Sequence, residues 1–172
     1  MRRRIVMILV ILVSFILQCS VFPALSVASV KPNLLLILPV AFGLMRGKRE
    51  GMFMGFLGGL LMDLFFSNVI GFHALIYTYI GYINGHCYRI FYDDDIKMPI
   101  LLVSVSDFAF GLFMYLAQFL MRGRIDFLYY LKRVIVPEVL FTVLVTMVIY
   151  RFLLWLNRKL EKAEQRSVGS FV

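Results

Sequence analysis

Three carboxylates stand inside or at the edge of long apolar runs: Asp63 in GFLGGLLMDLFF, Asp107 in LVSVSDFAFG and Glu138 in VIVPEVLF. A carboxylate in such a run is costly unless it faces protein or water. Together with His73, the three acids could meet in one polar zone, serving as a proton path, a substrate pocket or a docking site. The plainer alternative is that each acid bonds a Ser, Thr, Tyr or backbone group of a neighbouring helix. Paired-carboxylate catalysis needs a defined separation and a group to act on, and the sequence places no nucleophile nearby. His73 and His86 lie at opposite ends of one predicted helix, too far apart to hold a single metal from it. Asp93-Asp94-Asp95 reads as a solvated turn capping the next helix; the alternative, a divalent-ion site, lacks a second ligand cluster in the sequence. Cys19 and Cys87 sit in apolar runs near opposite membrane faces and read as small buried hydrophobes, not as a disulfide. No phosphate loop, serine elbow or His-Glu zinc motif occurs. The expectation is a non-enzyme with no cofactor and no bound metal.

The elements that must position these residues are membrane helices. Of the 172 residues 62% are hydrophobic and 16% charged, against about 45–50% and 25% in soluble domains. Several apolar runs approach the roughly 20 residues needed to span a bilayer. The expected class is an all-α integral membrane protein, one domain over residues 1–172, built as a compact bundle of about six transmembrane helices. The predicted spans are 5–22, 34–45, 51–66, 72–91, 99–121 and 134–156, followed by a basic cytoplasmic tail over 157–172.

Arg2-Arg3-Arg4 before an apolar run looks at first like a signal peptide. The run is long for one, and no small-x-small cleavage site follows directly. A lipoprotein signal would want a small residue before Cys19, where Gln18 stands. The segment is therefore read as a retained first helix. Pro32 suits a helix start, and Pro39 should kink the short second span. Arg46 to Glu50 reads as a tight basic loop.

The third helix carries Gly51, Gly55 and Gly59 at four-residue spacing, with Gly58 beside the last. Small residues at that spacing let helices approach closely. At 100° per residue Asp63 lies about 40° from Gly59 and about 80° from Gly55, so it flanks the glycine stripe. The fourth helix repeats the spacing with Gly81 and Gly85. It is also the most polar, with His73, Tyr77, Tyr79, Tyr82, Asn84 and His86.

The net charge of +8 does not point to nucleic acid, because the cations lie between and beyond the apolar runs. Placing both termini in the cytoplasm puts most Lys and Arg on that side, as the positive-inside rule expects. Only Lys31, Arg122, Arg124, Lys132 and Arg133 fall outside. The connection 122–133, with Tyr129 and Tyr130 among these cations, goes against the bias and suits a segment lying at the membrane interface.

The chain resembles the rod shape-determining protein MreD family. The resemblance is carried by the basic start, Pro32-Asn33-Leu34-Leu35-Leu36, Arg46-Gly47, then Gly51, Gly55, Gly58, Gly59 and Asp63, Gly71-Phe72 and the polar stretch Tyr77 to Gly85. It implies a non-enzymatic protein of the bacterial plasma (inner) membrane, in the machinery that builds lateral peptidoglycan and maintains rod shape. The implied partner is an MreC-like single-span protein, with an MreB-like cytoskeleton and a RodA–transpeptidase pair reached indirectly. The family is also thought similar in fold to the substrate-binding subunits of energy-coupling-factor transporters, which implies a groove or cavity. No catalytic residue carries over. The reading from a different class is a vitamin-type transporter subunit, favoured by length, span number and the polar fourth helix.

Overall fold

A computed structural model describes residues 2–24, 32–67, 69–89, 97–122 and 127–169. Apart from short turns these residues are helical, without a strand: α1 Arg2–Ala24, α2 Leu34–Arg46, α3 Lys48–Phe66, α4 Phe72–Asn84, α5 Lys97–Arg122, the short α6 Phe127–Tyr130, and α7 Val136–Gly169. A tight 3-10 turn, Gly85–Arg89, follows α4, and a π-helical turn, Leu131–Ile135, links α6 to α7.

By length and composition three segments can cross a bilayer: Arg3–Ser20, Lys97–Ala117 and a stretch within Leu131–Lys162. The outer helices show the faces such a solvent requires. In α1, Met7, Ile11 and Ser14 are buried, while Ile5, Leu9, Val13 and Ile16 on other faces are more than half exposed. That is one helical seam against the bundle and an apolar surface around it. Phe65, Phe66, Leu75, Leu140, Leu144 and Val148 are likewise exposed. So much outward apolar surface is foreign to a soluble monomer. The chain is a membrane protein of the all-α class.

The core is α2. Every residue from Leu34 to Met45 is buried, and α2 touches α1, α3, α4, α5 and α7. It is apolar all round, as a helix enclosed by other helices must be. Its 13 residues span only about 20 Å at 1.5 Å per residue, short of a hydrocarbon core of about 30 Å. Enclosure removes the mismatch, because protein and not lipid meets its ends. The helix continues through Pro39.

Neighbouring elements run in alternating directions. Arg3 of α1 pairs with Glu50 of α3, and Arg46 at the end of α2 pairs with Asn157 and Glu161 of α7. These contacts gather one charged end of the bundle. Asn33, Gly71 and Thr142 mark the opposite, polar-turn end.

Several boundaries differ from the sequence expectation. The basic loop before α3 shrinks to Gly47, whose φ of +90° a side chain would disfavour. Helix α4 gives way to 3-10 geometry at Gly85, where Asn84 turns its side chain back to the Ile80 carbonyl at 2.9 Å. Lys132 and Arg133 lie not in a loop but in the π turn. Its cause is local: Pro137 supplies no N–H, and its ring crowds the carbonyl of Arg133. The predicted tail continues as helix to Gly169, since Arg158 to Gln165 is built of good helix formers. The acidic run Asp93–Asp95, Lys31 and Arg124 lie outside the described residues, as does the side chain of Arg122.

Candidate polar centre and helix interface

The glycine stripe sets how closely α3 and α4 approach. The two helices are antiparallel, with Gly51 opposite Gly81, Gly55 opposite Tyr77 and Gly59 opposite Ala74. A Cβ on Gly55 would stand 2.2 Å from the Tyr77 carbonyl oxygen, and one on Gly59 2.4 Å from the Ala74 Cα. Gly81 and Gly85 meet the backbone of Gly51 and Lys48 as tightly. Gly58 behaves differently: it faces α2, where a Cβ would meet Leu35 Cδ2 at an ordinary 3.5 Å. The glycines are thus used on two faces, with the close α4 contact made by Gly51, Gly55 and Gly59.

This approach delivers Asp63 to the start of α4. Its Oδ2 accepts from the backbone N–H of Gly71 at 2.9 Å and of Ala74 at 3.0 Å. Its Oδ1 accepts from the His73 N–H at 3.0 Å and lies 2.8 Å from His73 Nδ1. The first N–H groups of a helix have no intrahelical partner, and a carboxylate there also suits the helix dipole. Asp63 caps α4 from the neighbouring helix, and is only 1% exposed. Gln18 of α1 does the same for α2, its Oε1 accepting from the Leu35 N–H at 2.9 Å. The starts of α2 and α4 are thus satisfied across the bundle.

One turn further into α4 lies a second polar group. The Tyr77 hydroxyl donates to Asn33 Oδ1 at 2.8 Å, and the Asn33 N–H donates to Thr142 Oγ1 at 3.2 Å. Thr146 donates to the Thr142 carbonyl at 2.6 Å. Asp107 of α5 is 2% exposed, with the side chains of Thr142 and Asn33 as its nearest donors, but neither of its oxygens has a hydrogen bond of good geometry. Glu138 of α7 is close enough to act electrostatically on Asp107 and Tyr77. His73 joins the two groups, its ring 6.2 Å from that of Tyr77 and 6.0 Å from that of Phe110. Asp63, His73, Asp107 and Glu138 therefore occupy one region near the polar-turn end. Within it Asp63 is fully bonded and Asp107 is not.

Sequence alone gives no bonding role to Asn33, Gln18, Thr142 or Thr146, although each is a polar residue in or beside an apolar stretch. The four-residue spacing of the two threonines was the available signal. Of the connection near 122–133, Tyr129 is 61% exposed with Arg133 over its ring at 5.5 Å, while Tyr130 packs on Tyr115 at 5.2 Å. His86 is at the charged end, separate from this region. No group of three metal-ligating side chains exists among the described residues. Cys19 and Cys87 form no disulfide among the described residues.

Residues 1–160 match the family model described as rod shape-determining protein MreD. No curated protein and no solved structure matches the chain.

Proposed function

Since the chain belongs to the rod shape-determining protein MreD family, with the role in cell shape that this entails, we propose that it is a non-enzymatic scaffold of the cell-elongation machinery, docking an MreC-like single-span partner. Through that partner it serves an MreB-like cytoskeleton and a RodA–transpeptidase pair making lateral peptidoglycan. It resides in the bacterial inner membrane as a multi-pass protein with both termini in the cytoplasm. The observation that carries this reading is the extent of the match, 160 of 172 residues.

The physical chemistry supports it. Asp63 is occupied in capping α4, which suits a structural role better than a catalytic one. Recognition then falls to helix faces and short connections. We assign the partner contact to the polar-turn end, with Val69 and Ile70 at the α3–α4 turn and Tyr129, Lys132 and Arg133, all exposed; Arg122 and Arg124 are added to it from their place in the sequence alone. The vitamin-transporter alternative draws no support from the family match.

Depletion in a rod-shaped host should round the cells, and an MreC-like protein should co-purify from the membrane. Replacing Arg122, Arg124, Lys132 and Arg133 together by Gln should weaken that recovery. Undiminished recovery would remove the assigned contact, and unchanged cell shape on depletion would remove the function.

A further inference from the structure

The charged end of the bundle holds a pocket of about 400 Å³ between the α2–α3 turn and the end of α4, lined by Gly47, Lys48, Gly85, His86 and Tyr88. The neighbouring cations Arg3 and Arg46 are matched by Glu50 and Glu161. Lys48 has no acidic partner among the described residues; its Nζ lies over the Tyr82 ring at 5.5 Å. Arg49 beside it is exposed. Among the described residues the lining is therefore cationic, with Lys48 and no carboxylate.

Its surroundings separate a lipid from a free anion. The Tyr82 ring meets His86 edge-on at 4.9 Å and Tyr79 at 6.4 Å. An aromatic file thus leads from the pocket along α4. Tyr79 is 64% and Ile83 53% exposed on the same helix, an apolar surface suited to acyl chains. Tyrosines favour the level of the headgroups, with a polar tip and an apolar ring. A headgroup in the pocket would place its chains along Tyr79 and Ile83 without leaving the membrane.

We propose that this pocket binds the phosphodiester headgroup of an anionic phospholipid, with Lys48 as the principal cation, His86 and Tyr88 as further polar contacts, and the Tyr79–Tyr82 face as the seat of the acyl chains. Basic pockets between helices at a membrane face are suited to such headgroups. The site lies at the end of the bundle opposite the assigned partner contact.

The test uses the full chain in a neutral detergent, titrated with short-chain phosphatidylglycerol, short-chain phosphatidylcholine, or inorganic phosphate, and followed by melting temperature and native mass spectrometry. The expected result is saturable stabilisation and a retained adduct with phosphatidylglycerol only. Lys48→Gln should weaken the affinity about fivefold, the effect of one lysine at an anionic surface, and Lys48→Gln with His86→Gln should weaken it further. Lys159→Gln, on the exposed part of α7, should leave it unchanged. Both pocket variants should melt at the wild-type temperature without lipid, and if they do not, the ratio of phosphatidylglycerol to phosphatidylcholine affinity decides on the wild-type protein alone. Equal binding of the two lipids overturns the proposal. An equal response to inorganic phosphate makes the pocket a free-anion site and overturns the lipid assignment.

Discussion

Oδ1 of Asp63 lies 2.8 Å from Nδ1 of His73 and accepts the same residue's backbone N–H at 3.0 Å. One side chain on α3 thereby fixes both the start of α4 and the direction of the imidazole that begins it. That ring then packs on Tyr77 and Phe110, carrying the constraint from the helix cap into the polar region shared by α2, α4, α5 and α7.

Asp63→Ala removes the acceptor for three backbone N–H groups and for His73 at a site with almost no solvent. Each unsatisfied buried donor costs about 1–3 kcal/mol, so the variant should lose at least about 3 kcal/mol. Asp63→Asn keeps one acceptor oxygen but turns an amide toward donors, and should fall between Ala and wild type. Thermal unfolding in detergent gives the ranking. A wild-type melting temperature for Asp63→Ala would refute the capping role.

Asp107→Asn should behave in the opposite way. Its oxygens make no hydrogen bond of good geometry, with only the Thr142 and Asn33 side chains as donors beside them, and Glu138 adds a second acid nearby. Burying an ionised carboxylate without a full set of bonds is costly, and an amide of the same shape avoids that cost. The melting temperature should hold or rise. If cell shape is lost while stability holds, Asp107 has a role beyond packing; a loss of stability as large as that of Asp63→Asn would mean the carboxylate is held as firmly as Asp63.

The glycine stripe makes a paired prediction. Gly55→Ala places a methyl 2.2 Å from the Tyr77 carbonyl oxygen, where only backbone can give way. Overpacking of this kind costs about 1–3 kcal/mol, and Gly55→Leu or Gly59→Leu should prevent the bundle from assembling. Gly58→Ala meets only a side-chain methyl at an ordinary distance and should be neutral, or gain up to about 1 kcal/mol in helix propensity. Similar melting temperatures for Gly55→Ala and Gly58→Ala would show that the two positions are not distinguished by their neighbours.

Tyr77→Phe deletes the hydroxyl that donates to Asn33 Oδ1 in a fully buried setting. A cost of about 1–2 kcal/mol is expected, with no change in apolar packing. Because Asn33 also begins α2, hydrogen exchange at Leu36 and Ile37, whose N–H groups bond the Asn33 carbonyl, should accelerate in the variant. Unaltered exchange would show that the hydroxyl does not steady the start of α2.

The sequence made some of this legible for definite reasons. Apolar run length yields helices and class because backbone in lipid must bond internally. Helical arithmetic put Asp63 beside the glycine stripe, and the stripe does lie against α4. It could not show that Gly58 turns to α2, since spacing reports a face and not the neighbour across it. Nor could it show that α2 is the core: enclosed helices and lipid-facing helices are both apolar all round, and only the surrounding elements tell them apart. The bonds of Gln18 and Asn33 join residues far apart in the chain, and no local pattern records them.

The charged end supplies the last prediction. The Arg46 side chain is 10% exposed, and its Nε donates to Asn157 Oδ1, while Glu161, 45% exposed, lies 3.4 Å from the guanidinium. Asn157 Nδ2 in turn donates to Glu161 Oε1 at 3.2 Å. A bond to a buried cation is worth more than an ion pair with a solvated acid, because water screens the latter. Asn157→Ala should therefore cost about 1.5–3 kcal/mol, and Glu161→Ala no more than about 1 kcal/mol. Raising salt should erase the Glu161 difference and leave that of Asn157, since screening acts on exposed charge. Melting curves of the two variants at low and high salt make the comparison; a larger loss from Glu161→Ala would mean that the ion pair, and not the buried amide, joins α7 to α2.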